Sequence, residues 1–198
     1  MIKYYWCPNT RAVRIGWLLE ELGQPFEPVL IDIRDPKVPR DPDFAKASPM
    51  GKVPAISDGN VHMADSAAIA LYLADKYPGA GLAPAVSDPD RAQYLFWMVF
   101  TPGHIEPAMA EKLANFPANR AQFAWGDFPT MVSVLENAVR DNEWLLGETF
   151  SAADVLVGSS ANFMQMFGAL SGNAPIAAYV DRCLARTAYQ RALALQAD

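Results

Sequence analysis

Between Ile2 and Leu22 the chain changes its hydrophobic period, and that change constrains the fold more than any other feature. Ile2 to Trp6 is a short aromatic and β-branched run, which predicts a strand. Pro8, Asn9 and Thr10 supply turn chemistry, and from Arg11 to Leu22 the apolar residues Val13, Ile15, Trp17, Leu18, Leu19 and Leu22 fall at helical spacing. A strand handing over to a helix opens an α/β unit. Residues to about Tyr77 continue as strand, helix, hairpin and helix. Pro78 to Pro84 reads as a linker, and Asp88-Pro89 as the N-cap and first residue of a long helix. The rest is helical, punctuated by Pro102, Pro107, Pro117, Pro129 and Pro175. The expected domains are thus α/β over 1–77, a linker over 78–87 and all-α over 88–198.

Cys7 stands where the first strand meets the helix start. Unpaired N–H groups and the positive end of the helix dipole favour an anion there, and a thiolate is the anion on offer. A small residue buried at a crowded turn is the alternative. Gly51 to Ile56 and Val61 to Met63 predict two antiparallel strands joined through Asp58-Gly59. Pro54 cannot donate to a ladder, so it is expected at an edge or at a special backbone, leaving Val53 a backbone that an extended peptide could pair with. Asp65 is expected to cap the helix from Ser66. The N–H groups and the Ser66 hydroxyl suit a carboxylate, and the Asp65 carboxylate suits an ammonium, so an amino-acid head group fits both. Taken alone, the pair is accounted for first by plain helix capping.

The order of strand, Cys7-Pro8-x-x-Arg11, Leu18-Leu19-Glu20-Glu21-Leu22-Gly23, Gly51-Lys52-Val53-Pro54 and Asp65-Ser66-x-Ala68-Ile69 resembles the cytosolic glutathione S-transferases. Trp144 to Gly147, Phe150 to Asp154 and Ala188 to Ala192 extend the resemblance over nearly the whole chain. It implies an N-terminal thioredoxin-like domain with a C-terminal helical bundle, and glutathione as co-substrate held by Lys52, Val53, Pro54, Asp65 and Ser66. The catalytic group is then Cys7, which forms a mixed disulfide, or Thr10, whose hydroxyl activates the glutathione sulfur for conjugation. The resemblance also implies a cytoplasmic detoxification enzyme that acts as a homodimer without a metal. The helix around Tyr94 to Phe100 would line both the dimer interface and the cleft for a second, apolar substrate. Helical spacing offers Met98, Thr101 and Ile105 for that cleft. A scaffold kept only for binding, without catalysis, is the reading from a different class.

Composition fits a compact protein: 198 residues, 52% hydrophobic, with no low-complexity tract. No apolar run approaches the roughly 20 residues that span a bilayer, and Met1-Ile2-Lys3 leads into a strand rather than a signal peptide. A formal net charge of -6 disfavours nucleic acid as a partner. Two cysteines in unrelated contexts imply neither a disulfide framework nor a metal cluster. His62 and His104 stand outside any motif and are not expected to act as bases. Ser151 and Asp154 read as a capping box with Phe150 stapled onto Val155, a folding device worth about 0.5 to 2 kcal/mol.

Overall fold

The computed structural model describes residues 1–35 and 40–195. The chain divides into two compact units, Met1–Gly81 with Ala185–Asp198, and Leu82–Leu184. The helical domain expected to run to 198 therefore ends earlier, because the last helix groups with the first unit.

In the first unit, β1 (Ile2–Trp6) leads through α1 (Val13–Leu22) to β2 (Phe26–Leu30), then α2 (Pro42–Ala47), the hairpin β3 (Ala55–Asp58) and β4 (Val61–Ala64), and α3 (Ser66–Lys76). The sheet order is β2-β1-β3-β4, with β1 parallel to β2 and antiparallel to β3. This is the expected thioredoxin-like arrangement. Alternation along β1 sends Tyr4 and Tyr5 to opposite faces. The Tyr4 hydroxyl donates to Ala12 O (2.5 Å), fixing the entry to α1. Tyr5 packs edge-on against Phe44 of α2 at 5.5 Å, in a cluster with Ile31, Ala47 and Ala55. The helix starts at Val13 rather than Arg11, and Gly23 ends it in the left-handed conformation (φ 63°) that glycine adopts without a Cβ penalty.

Of the two places expected for Pro54, a sheet edge or a special backbone, the structure has the second: β3 lies between β1 and β4, and Pro54, after a cis peptide bond, stands just ahead of Ala55, the first paired residue. A residue without an N–H is tolerated there because it lies outside the ladder.

The last helix, α9 (Thr187–Ala194), is fastened to α1 by ion pairs and a ring contact. Arg186 Nε and Nη2 fork onto the Glu21 carboxylate at 2.5 and 2.8 Å, and Arg191 Nε reaches Glu20 at 2.5 Å. Trp17 meets Tyr189 edge-on at 5.1 Å.

The second unit holds α4 (Arg91–Phe100), a π-helical turn over Thr101–Ile105, α5 (Glu106–Ala114), α6 (Phe128–Val139), α7 (Ala152–Met166) and α8 (Ala174–Leu184). Pro102 removes a helical donor, and the interruption expected at Thr101-Pro102-Gly103 takes the form of this π turn. Among the described residues no helix is long and apolar enough to cross a membrane. The core centres on α7, whose residues from Ala152 to Ala161 are all buried. The capping box forms as expected, while the Phe150 ring lies edge-on to Trp144 at 4.9 Å.

Where α7 meets α8, a Cβ built on Gly158 would stand 2.5 Å from Cys183 Sγ and 3.2 Å from its Cβ. Gly158→Ala is therefore expected to lower the unfolding free energy by about 1 to 3 kcal/mol, although alanine favours a helix by about 1 kcal/mol over glycine. Urea unfolding measures the loss, and Cys183→Ala in the same chain should recover most of it. An unchanged midpoint in the single variant would contradict the close packing.

Candidate active site

The sheet register decides which segments meet. Tyr5 lies opposite Ala55, and Ala55 opposite Ala64. Cys7 follows the last residue of β1, Val53 and Pro54 come just before β3, and Ser66 opens α3 after β4, so all of them stand at one end of the sheet. Neighbouring strands are about 4.8 Å apart, so that end is about 10 Å wide from β1 to β4. That is the reach of an extended tripeptide, at about 3.4 Å per residue. His62, opposite Ser57, sits several residues down the strands from this end, where its Nδ1 is 2.8 Å from Ser57 Oγ.

Cys7 follows the central strand and is buried, with 1% of its surface exposed. Next to it Asn9 takes a left-handed conformation (φ 58°), which asparagine tolerates better than most residues. Thr10 is committed locally: its hydroxyl donates to Cys7 O (2.6 Å) and accepts from Ala12 N (3.2 Å). In this geometry its proton serves the turn that leads into α1.

The β2 side brings a group that no motif announces. Ile31 N donates to Trp6 O (2.8 Å), extending the β1–β2 pairing to the level of Cys7. Beyond it the Asp32 carboxylate accepts from the backbone of Arg34 (2.9 Å) and of Asp35 (3.3 Å), a side-chain turn that aims the loop. Arg34 then places Nη1 3.2 Å from Cys7 Sγ and Nη2 3.0 Å from Pro8 O.

On the β3 side, Ser48 holds the segment ahead of the strand. Its hydroxyl donates to Lys52 O (2.7 Å) and accepts from Lys52 N (2.9 Å). The Lys52 side chain is exposed, and Val53 packs partly buried against the Tyr5 cluster. Arg40 lies beside this segment, its Nη1 3.5 Å from where a Gly51 Cβ would be. Among the described residues its buried Nε has no hydrogen-bond partner, an orphan donor of the kind a ligand oxygen satisfies.

At the β4 end Asp65 caps α3, accepting from Ala67 N (2.9 Å) and Ala68 N (3.2 Å). Its backbone (φ 74°, ψ 125°) is in a region that non-glycine residues occupy at a cost of about 1 to 3 kcal/mol, and such strain concentrates at binding sites. The capping bonds leave Ser66 as the first-turn residue that Asp65 does not serve.

In the second unit, Met98, Thr101 and Ile105 are 0%, 2% and 0% exposed. All three side chains are packed inside the second unit, as the Cys7 side chain is in the first. The exposed apolar residues of α4 are Leu95, Phe96 and Val99. His104 stacks on Phe100 at 4.8 Å.

Arg34 and Arg40 escaped sequence reasoning. Both come from sequence between Ile31 and Arg40 that carries no motif; the pairing of β2 with β1 brings Arg34 to Cys7, and Arg40 lies beside Gly51.

Comparison with known proteins agrees with this geometry. Residues 1–81 match the family model described as the glutathione S-transferase N-terminal domain. Glutathione S-transferase 3 of Schizosaccharomyces pombe is 32% identical over 173 residues, covering 78% of this chain and 70% of that protein. A disulfide-bond oxidoreductase of Escherichia coli is 28% identical over 171 residues, covering 78% and 76%. The fold superposes with a TM-score of 0.82 on a sphingomonad glutathione S-transferase solved with glutathione, 26% identical and covering 98% of each chain. With the strand-end cysteine, the Val53-Pro54 segment and the capped α3 at one end of the sheet, and a relative of this similarity over most of its length, the chain belongs to the glutathione S-transferase family.

Proposed function

We propose that the protein uses glutathione for thiol–disulfide exchange through Cys7. The observation that carries this reading is the contact between the Arg34 guanidinium and the Cys7 sulfur, at the same end of the sheet as Val53 and Ser66. Ser66 and the Asp65 carboxylate suit the γ-glutamyl head group, and the backbone of Val53 suits the cysteinyl amide. Lys52 and Arg40 supply cations for the glycyl carboxylate. The sulfur then faces Cys7.

In a mixed disulfide of glutathione with a small thiol, the Cys7 thiolate attacks the glutathionyl sulfur. The S–S bond breaks and the small thiol leaves as its thiolate, taking a proton from water. A second glutathione thiolate attacks the Cys7-bound glutathionyl sulfur, glutathione disulfide forms and the Cys7 thiolate is restored. The two electrons that reduce the substrate come from glutathione. The commitment of the Thr10 hydroxyl to Cys7 O favours this route over conjugation activated by Thr10. The relative in Escherichia coli is itself a disulfide-bond oxidoreductase. We further infer a homodimer that covers Leu95, Phe96 and Val99, three exposed apolar residues on one side of α4.

Incubation with a glutathione mixed disulfide, followed by peptide mass spectrometry, tests the reading. A glutathionyl adduct on Cys7 that a second glutathione removes is the expected result. Turnover without an adduct would remove Cys7 from the mechanism, and glutathione retention without turnover would favour a binding scaffold.

A further inference from the structure

We propose that Arg34 makes the Cys7 sulfur selective for anionic partners, so that the preferred small thiols and disulfides carry a carboxylate close to sulfur. This rests on the reading of Cys7 as the working group and adds the class of substrate. The guanidinium touches the reacting atom itself, with Nη1 3.2 Å from Sγ. Its second nitrogen is held by Pro8 O (3.0 Å), and the Asp32 turn sets the loop behind it. The fork is therefore placed from two directions, and the side chain is exposed, open to whatever approaches the sulfur.

Charge accounting gives the selectivity. Before attack the cation faces a thiolate. Once Cys7 enters a disulfide its sulfur is neutral, and the guanidinium, still at the site, has lost its anion. An expelled thiolate that also bears a carboxylate replaces that anion at the moment the S–S bond breaks, and a cationic one meets repulsion. The Asp32 carboxylate, which accepts from the backbone N–H groups of Arg34 and Asp35, is common to wild type and both Arg34 variants, so its charge drops out of the comparison between them.

The test compares alkylation of Cys7 by iodoacetate, an anion, with alkylation by neutral iodoacetamide. Wild type, Arg34→Gln and Arg34→Lys are used, and adducts are resolved by peptide so that Cys183 does not contribute. The iodoacetate-to-iodoacetamide rate ratio is expected to fall about tenfold in Arg34→Gln, the effect of removing one charge a few ångströms from sulfur beside solvent, and to recover in Arg34→Lys. A loosened loop alters both reagents alike, so an unchanged ratio overturns the proposal. In turnover, wild type should prefer the glutathione mixed disulfide of 3-mercaptopropionate over that of cysteamine, and Arg34→Gln should lose the preference. If the alkylation ratio falls but wild type turns over neither disulfide, the selectivity of Arg34 stands and the thiol-exchange reading fails.

Discussion

Cys7→Ser is expected to lower glutathione-dependent disulfide reduction by roughly a thousandfold, with glutathione retention and the unfolding midpoint little changed. A hydroxyl cannot form the mixed disulfide, so the covalent route closes completely and only direct exchange in solution remains. Serine is nearly isosteric and can accept from Arg34 Nη1, which now donates to sulfur at 3.2 Å, so the turn keeps its contact. Glutathione should still bind, because Val53, Asp65 and Ser66 belong to other strand ends. Conjugation of an electrophilic aryl halide, run on the same samples, should persist or rise, since a hydroxyl can donate to the glutathione sulfur. If reduction survives the substitution, Cys7 is structural, and Thr10 or a backbone donor would have to activate glutathione.

Asp154→Ala is expected to cost about 3 to 5 kcal/mol of unfolding free energy, several times the loss of an ordinary cap. The carboxylate is fully buried and accepts four hydrogen bonds. Ser151 N (2.9 Å) and Ser151 Oγ (3.1 Å) are the capping box, whereas Leu145 N (2.9 Å) and Tyr179 Oη (3.0 Å) come from the preceding loop and from α8. Truncation strands all four donors in the core. Burial pushes the Asp154 carboxyl up to about 6, against the pull of those four donors. The folded value lies above the unfolded one of about 3.9, so this group's contribution is fully present below about pH 4 and is lost as pH rises through 6. The margin of wild type over Asp154→Ala should therefore be larger at pH 4.5 than at pH 7, by about 2 kcal/mol. Paired urea titrations at the two pH values measure it, and a margin that grows towards pH 7 would reverse the sign of the argument. Carboxylates held low by cationic neighbours, such as Asp41 beside Lys3, act oppositely in both proteins and cancel in the comparison.

Local patterns were legible wherever a residue acts on its near neighbours in the chain. The change from strand to helical period around Cys7, the hairpin turn, the Asp65 cap and the Ser151–Asp154 box each depend on residues a few positions apart. Helix starts were read early, at Arg11 for Val13 and at Asp88 for Arg91, because residues of a preceding turn share helical composition. Pro54 was left between two places for a different reason. A missing N–H excludes it from a ladder, but whether that means an edge strand or a special backbone ahead of an inner one depends on which strands pair.

The sequence by itself determined an α/β unit followed by helices and the short-range devices that start and stop elements, since period, turn and cap chemistry act within one or two turns of chain; the thioredoxin-like fold and the family came from the resemblance of its motifs. Only the tertiary structure decided the rest. Sheet order brings Cys7, Val53 and Ser66 to one end of the sheet, the pairing of β1 with β2 carries Arg34 to the sulfur, and Glu20 and Glu21 draw α9 to the first unit. Asp154, legible as a cap, becomes a core anchor through Tyr179, a residue 25 positions away. These contacts join segments whose separation along the chain has no periodic signature, and packing alone selects them.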